Sequence, residues 1–189
     1  MPEKLLLLIN GVAGAGKTTT LKLIEKNLEV PYRILRKYTT RSKRKEEEED
    51  YEFFFISKEQ FLSQKVDFIF ERMSIYYGFT KQMIETPLAH AEILVCTNGE
   101  KLIKAVKEEY SKKFLIITVL VDARKELIKE RILKQNLANH QIENRLKRLE
   151  KTTLNRENYD IILQNNLTIT DLEHLILKEI IDKMKGMWT

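Results

Sequence analysis

The segment Gly11-Val-Ala-Gly-Ala-Gly16-Lys17-Thr18 carries the spacing G-x-x-x-x-G-K-[ST], and each fixed position answers a need of polyphosphate chemistry. Glycines let the backbone curl until successive N–H groups point inward at phosphate oxygens. Lys17 supplies a mobile positive charge for β- and γ-phosphates, and the Thr18 hydroxyl suits a Mg²⁺ ion. Gly11, Ala13, Gly14, Ala15, Gly16, Lys17, Thr18 and Thr19 are therefore the expected binding residues for a nucleoside triphosphate. The context agrees. An apolar run, Leu5–Ile9, precedes the loop, and Leu21, Ile24 and Leu28 follow at helical spacing from about Lys17 to Leu28. The positive end of that helix faces the same anion.

A second constellation begins at Thr39-Thr-Arg41-Ser-Lys-Arg44. Arginines three residues apart can grip one phosphate with paired hydrogen bonds, which lysine does less well. Tyr51, Tyr76 and Tyr77, the last just before Gly78, offer hydroxyls to complete such a cage. Glu71 ends an apolar strand, where a carboxylate can accept paired hydrogen bonds from an amide-like base edge. Each feature also has a plainer reading. Arg41 and Arg44 can pair with the acids Glu46–Asp50, Glu71 with Arg72 or Lys65, and the tyrosines can simply pack. Cys96 reads as a small buried core residue, and His90, His140 and His174 are too scattered for a metal site.

A phosphate loop serves switch GTPases, motor ATPases and small-molecule kinases alike. No base-reading N-K-x-D occurs, which argues against a switch. Val119-Leu-Val-Asp122 has the form of an acid-ended strand used by motors, yet Asp122 reads better as a plain N-cap of the next helix. The chain has 189 residues, which leaves little room for the added elements of motors and favours one domain.

Composition narrows the class further. With 43% hydrophobic and 32% charged residues the chain is globular rather than disordered, and six glycines and three prolines argue against long linkers. Leu5–Ile9 is the longest apolar run and falls far short of the ~20 residues a membrane span needs. No secretory signal is recognisable, and a single cysteine allows neither an internal disulfide nor a thiolate metal cluster, so a cytoplasmic location is expected. The net charge of +5 is interleaved in sign, which suits polyphosphorylated small molecules and does not require nucleic acid. No membrane partner is expected, and the chain is read as a monomer or homodimer.

The elements that must hold these residues alternate between strand and helix. Further apolar runs at Glu92–Thr97 and Phe114–Val121 precede helical patterns at Glu100–Tyr110 and Arg124–Leu133. A second strand is expected near Arg33–Tyr38, a last one at Tyr159–Leu163, and a closing helix at roughly Thr170–Lys185 with Leu172, Leu175, Ile176, Ile180 and Met184 on one face. This alternation predicts an α/β fold, a parallel sheet with helices on both faces. The stretch Thr39–Gly78 breaks the rhythm with an acidic turn at Glu46–Asp50, the aromatic run Tyr51–Ile56, a short helix from Ser57 and a strand-like Val66–Met73. It predicts a small β-containing insert.

Taken together, Gly11–Thr19 (GVAGAGKTT), Thr39–Arg44 (TTRSKR), Asp50–Phe54 (DYEFF), Phe68–Glu71 (FIFE), Tyr76–Gly78 (YYG), Glu143–Leu146 (ENRL) and Asn158–Leu163 (NYDIIL) resemble the guanylate kinase family over nearly the whole chain. The resemblance implies ATP with Mg²⁺ and phosphoryl transfer to a nucleoside monophosphate, GMP first. It also implies a core of residues 1–36, 80–130 and 149–189, an acceptor-binding insert at 37–79 and a helical lid at 131–148. Arg41, Arg44, Tyr51, Tyr77 and Gly78 would hold the acceptor, Glu71 would read guanine, and Lys17, Arg41, Arg131 and Arg145 would serve the transferring phosphoryl group. On helices, Arg131 and Arg145 read otherwise as solvated arginines. The chain departs from the family pattern at Lys37 and Tyr38, where a small hydroxyl residue is usual, at Phe79, at Cys96 in place of an aspartate, and at Lys134 or Gln135 in place of a lid arginine. A kinase with another acceptor, such as a sugar phosphate, is an alternative: the related ribose bisphosphate phosphokinases share the phosphate loop, a Tyr-x-Thr-Arg segment and a Tyr-Gly, though they typically lack the acid at position 71 and the tyrosine at 51 that this chain keeps. A non-catalytic binding module is a further alternative, against which the intact Lys17 speaks.

Overall fold

The computed structural model describes residues 4–44, 51–72, 74–166 and 168–188, with main chain only at 185, 187 and 188. The solvated turn expected at Glu46–Asp50 lies outside the described residues. In chain order the elements are β1 (Leu5–Asn10), α1 (Lys17–Asn27), β2 (Tyr32–Ile34), β3 (Lys37–Thr39), β4 (Phe53–Phe55), α2 (Lys58–Ser63), β5 (Phe68–Arg72), β6 (Ile75–Phe79) and α3 (Lys81–His90). Then follow β7 (Ile93–Thr97), α4 (Glu100–Tyr110), β8 (Leu115–Asp122), α5 (Lys125–Leu133), α6 (Asn139–Lys151), β9 (Ile161–Gln164) and α7 (Ile169–Ile176). A π-helical turn, Leu177–Ile181, leads into α8 (Asp182–Trp188). The chain divides into two compact units, Met1–Leu8 with Val30–Ile116 and Ile9–Glu29 with Ile117–Thr189, so β1 and β8 each contribute to both.

In the first unit β2 runs parallel to β7, which neighbours β1. Leu5–Leu8 and Ile93–Cys96 are each at most 1% exposed, which is why these strands read as continuous apolar runs rather than alternating ones. The single strand expected at Arg33–Tyr38 is in fact divided. β2 belongs to this sheet, and Leu35, buried with its N–H on Val95 O at 2.8 Å, ends the edge contact. Beyond Arg36 the chain enters a second sheet with strand order β4-β3-β6-β5. Helix α3 was hidden in the sequence by Pro87, which interrupts the hydrogen-bond ladder. Thr80 nevertheless caps its start by accepting from Met83 N at 3.2 Å, and Ile84 and Leu88 bury its inner face.

The small sheet carries the pattern on which the site depends. Its registers pair Lys37 with Phe53, Thr39 with Phe55 and with Tyr77, Phe70 with Tyr77, and Phe68 with Phe79. Because side chains alternate across a pleated sheet, these residues share one face. Tyr38, Phe54, Ile69, Glu71, Tyr76 and Gly78 take the other. Helix α2, capped by Ser57 at Gln60 N, lays Phe61 on that second face, 5.3 Å from the Tyr76 ring.

The second unit pairs β8 parallel with β9, Asp122 opposite Gln164, and packs α1 against α7. The expected closing helix is the run α7–π turn–α8. Its one extra residue per turn lets Ile180 and Ile181 both point inward with Leu172, Ile176 and Met184. Helices α5 and α6 close on a cluster of Ala123, Ile128, Ile132 and Leu149, with Val12, Ile142 and Leu146 against it.

Gly78 is constrained by space, since a Cβ there would stand 2.5 Å from Val66 Cγ1 and 2.6 Å from the backbone oxygen of Phe68. The oxygen cannot step aside without breaking the β5–β6 pairing. Gly78→Ala should cost about 1–3 kcal/mol, as overpacking does. In a chain of this size that lowers the thermal midpoint by several degrees in calorimetry; an unchanged midpoint would show that the sheet yields locally.

Candidate active site

The phosphate loop folds as its glycines require. Gly14 and Gly16 hold φ of 85° and 105°, a region that side chains resist, and Gly16 forms the N-cap of α1 without any side-chain cap. A glycine cap thus brings no side-chain oxygen to the first turn of α1. Asn10 Oδ1 accepts from Gly11 N at 2.7 Å, and its amide donates to the Tyr159 hydroxyl, which fixes the strand-to-loop corner. Lys17 Nζ donates to the carbonyls of Gly11 (2.9 Å) and Val12 (3.1 Å), bridging the loop's own entrance. Ala13 is half-buried, whereas Thr18 and Thr19 are exposed on the first turn of the helix.

Asn165 ties this loop to the arginine expected in the lid. Its side-chain amide, 7% exposed, donates to Ala15 O at 2.7 Å. Arg131 Nη2 donates to Asn165 O at 3.1 Å, and Arg131 Nη1 is buried without a hydrogen-bond partner among the described residues. A buried guanidinium nitrogen lacking an acceptor is costly, and an anionic oxygen would remove that cost. Arg145 is 9% exposed and donates to Gln135 Oε1 from across the α5–α6 connection. It is therefore a buried, hydrogen-bonded side chain and not a solvated helix arginine. Asp122, which the sequence reads as either a motor-type acid or a helix cap, is neither in this geometry. The N-cap of α5 is Arg124, while Asp122 accepts from Ala123 N at 2.9 Å and forms a 2.7 Å ion pair with Arg156.

In the first unit the candidate acceptor residues gather around the Phe53 ring. Arg41 Cζ lies 4.8 Å from its centroid and 5.1 Å from that of Phe55. Lys37 Nζ lies 4.8 Å from Phe53, and Tyr77 meets it edge-on at 6.2 Å. The turn carrying Arg41 is braced by Thr40, whose hydroxyl accepts from Tyr76 N at 2.9 Å and whose amide donates to Tyr76 O at 3.1 Å. Arg44 and Tyr51, both half-buried, flank the undescribed segment.

Two sequence-predicted residues lie elsewhere. Glu71 is exposed on the opposite face of the sheet, directly across from Tyr76, because the register places Phe70 opposite Tyr77. Gly78 shares that opposite face, beneath Phe61 and Val66. Sequence reasoning singled out Lys37 as a departure but missed its partners. Lys37 is 3% exposed, and its ammonium donates to Thr97 O and, at 2.9 Å, to Thr97 Oγ1. That hydroxyl in turn donates to Glu52 Oε2. Asn98, the next residue, is 4% exposed, and among the described residues its amide meets only the weakly bonding Cys96 thiol. The only sequence signal for this cluster was a lysine at an inward strand position. Residues 45 and 60 apart gave no spacing to read.

These two units define a phosphate-loop kinase of the α/β type, with a basic, aromatic-walled small sheet in its first unit. The chain belongs to the guanylate kinase family, whose sequence profile matches residues 3–184. It is 28% identical over 191 residues to the guanylate kinase of Wigglesworthia glossinidia brevipalpis, covering 95% of this chain and 90% of the relative. It is 30% identical over 166 residues to that of Fusobacterium nucleatum subsp. nucleatum, covering 85% and 88%. The crystal structure of guanylate kinase from Anaplasma phagocytophilum superimposes with a TM-score of 0.70 at 14% identity, covering all (100%) of this chain and 88% of the other, a likeness of fold. The chain is thus a nucleotide-binding transferase of the nucleoside monophosphate kinase class.

Cys96 tests the burial of this region. Desolvation pushes its thiol up to about 11, against the pull of the Lys37 charge. A neutral buried thiol is unreactive, so Ellman's reagent at pH 8 should label Cys96 only as fast as the chain unfolds. Labelling within seconds under native conditions would contradict the packing of β7.

Proposed function

We propose that this chain transfers the terminal phosphoryl group of ATP to GMP, giving ADP and GDP, with Mg²⁺ bound alongside the triphosphate. The observation that supports it most is the uncapped, glycine-turned start of α1 with Lys17 at its mouth, in a chain matched along nearly its whole length by the guanylate kinase family. The loop suits a polyphosphate, since its glycine turns open the start of a helix and set a lysine ammonium against the loop itself. Thr18 would contribute one hydroxyl to Mg²⁺, an ion that commonly takes its other ligands from phosphate and water. Bound Mg²⁺ supplies charge neutralisation at the phosphate oxygens.

The chain's own residues do the rest. Gly11, Ala13, Gly14, Ala15, Gly16, Lys17, Thr18 and Thr19 cradle the triphosphate. Lys17, Arg131 and Arg145 offset charge on the transferring group, and the bare Nη1 of Arg131 is the strongest structural reason to include it. Arg41, with Arg44, Tyr51 and Tyr77, holds the acceptor phosphate in line for attack. That phosphate is already ionised near neutral pH, so positioning and electrostatics carry the step without a dedicated general base. Exclusion of water by residues 131–148 would suppress hydrolysis of ATP. The protein would work in the cytoplasm.

A coupled assay of ADP formation with identification of the nucleotide product tests this reading. The wild-type chain should consume ATP with GMP and stop when Mg²⁺ is chelated. Lys17→Ala and Arg131→Ala should each lower kcat by roughly 10³-fold or more, the scale seen for stabilising cations in phosphoryl transfer. Arg41→Ala should act mainly on the acceptor, lowering kcat/KM for GMP while the KM for ATP stays put. Turnover of another acceptor in place of GMP would overturn the substrate but not the reaction.

A further inference from the structure

We propose that the acceptor base is read by Glu52 and Lys37, coupled through Thr97, and not by Glu71; this rests on the nucleoside monophosphate reading above. Three independent observations lead there. The first is the pleat. The face that carries Arg41 over Phe53, and Tyr77 beside it, receives Phe70 from β5, whereas Glu71 leaves on the far side next to Tyr76. An acidic side chain for this face has to come from elsewhere. Glu52, immediately before β4, is tied to it through the Thr97 hydroxyl.

The second observation is the polarity of the cluster. Thr97 Oγ1 accepts from Lys37 and donates to Glu52, so its single proton is committed and the order cation–hydroxyl–carboxylate is fixed. A lysine that is 3% exposed is expensive to bury and is kept here by Thr97, the Phe53 ring and the Glu52 charge nearby. The third is Asn98. It follows Thr97 at the carboxyl end of β7, is 4% exposed, and among the described residues its amide meets only the weakly bonding Cys96 thiol. Buried amides are rarely left so, and a ligand edge satisfies them.

The chemistry selects the ligand. Guanine presents an acceptor, O6, beside two donors, N1–H and N2–H₂. An ammonium beside a carboxylate, both within reach of one hydroxyl, complements that order. Adenine presents a donor, N6–H₂, beside an acceptor, N1, and meets the pair the wrong way round. Hypoxanthine keeps O6 and N1–H and lacks the N2 amino group.

The test measures binding of GMP, IMP and AMP by calorimetry to the wild-type chain and to Glu52→Gln, Glu52→Asp and Glu71→Gln, with steady-state KM for ATP alongside. Glu52→Gln should weaken GMP about 10- to 100-fold, the loss of a hydrogen bond to a charged group, and narrow the preference for GMP over IMP. Glu52→Asp keeps the charge beside Lys37 and withdraws the carboxylate by one methylene, so it should also lose GMP affinity while melting like the wild type. Glu71→Gln should bind GMP as the wild type does, and the KM for ATP should be unchanged throughout. Equal GMP affinity in wild type and Glu52→Gln, or the loss appearing in Glu71→Gln, would overturn the proposal while leaving the kinase reading intact. If the wild-type chain phosphorylates a different monophosphate, GMP falls as the substrate, and Glu52→Gln measured on that nucleotide decides the role of Glu52. A wild-type chain that binds no nucleoside monophosphate sinks both.

Discussion

Successive residues of a strand leave the sheet on opposite sides, and in the small sheet this alternation decides which side chains can meet a ligand. The pairing of Phe70 with Tyr77 is set by the hairpin of β5 and β6, which turns at Ser74 with φ 59°. A shift of one residue in that register would exchange the faces of β5, bringing Glu71 beside Tyr77 and sending Phe70 outward. With the register as it stands, the face receives aromatic surface from β5 and its charged groups from β3, from the turn after it and from the residue before β4. Phe53 becomes the common floor on which Arg41 and Lys37 both rest. The same alternation frees Gly78 for the opposite task of letting Phe61 and Val66 approach the backbone.

Much of the phosphate-binding half was legible in the sequence because its information is local. Left-handed glycines, the lysine after them and the start of a helix all lie within eight residues, and α1 and α4 begin where the periodicity says. Longer-range links were not legible. Asn165 reaches Ala15 across 150 positions and Arg131 across 34, and no spacing rule connects them. Glu71 carried the right chemistry in the right neighbourhood, yet its face depends on a register that a five-residue strand does not announce. β2 and β3 looked like one strand because each has only three residues, and the sheet they belong to is chosen by pairing partners rather than by composition. Helix α3 was masked by one proline whose lost hydrogen bond the rest of the helix tolerates.

On the proposed function the two halves meet their ligands by different means, and this bears on how they can vary. The phosphate loop uses main-chain amides oriented by glycine φ values, so most side chains around it are interchangeable as long as the turn survives. Asn165 adds a side-chain brace to a backbone carbonyl rather than a contact that reads a ligand. A base edge has no such generic partner. It must be met by donors and acceptors in a set order, and those come from side chains placed by tertiary structure.

That order can be supplied from more than one strand. A carboxylate at the end of β5 and one at the start of β4 are equivalent to a ligand if both project over Phe53 with a donor beside them. Moving the acid to Glu52 places it next to β7, within reach of Thr97, and a cation at position 37 then gains a hydroxyl, a carbonyl and a nearby negative charge that offset its burial. Lys37 without Glu52 would lose the nearby negative charge that helps to offset its burial. Lys37 and Glu52 are thus coupled in physical terms, each bonded to the one Thr97 hydroxyl.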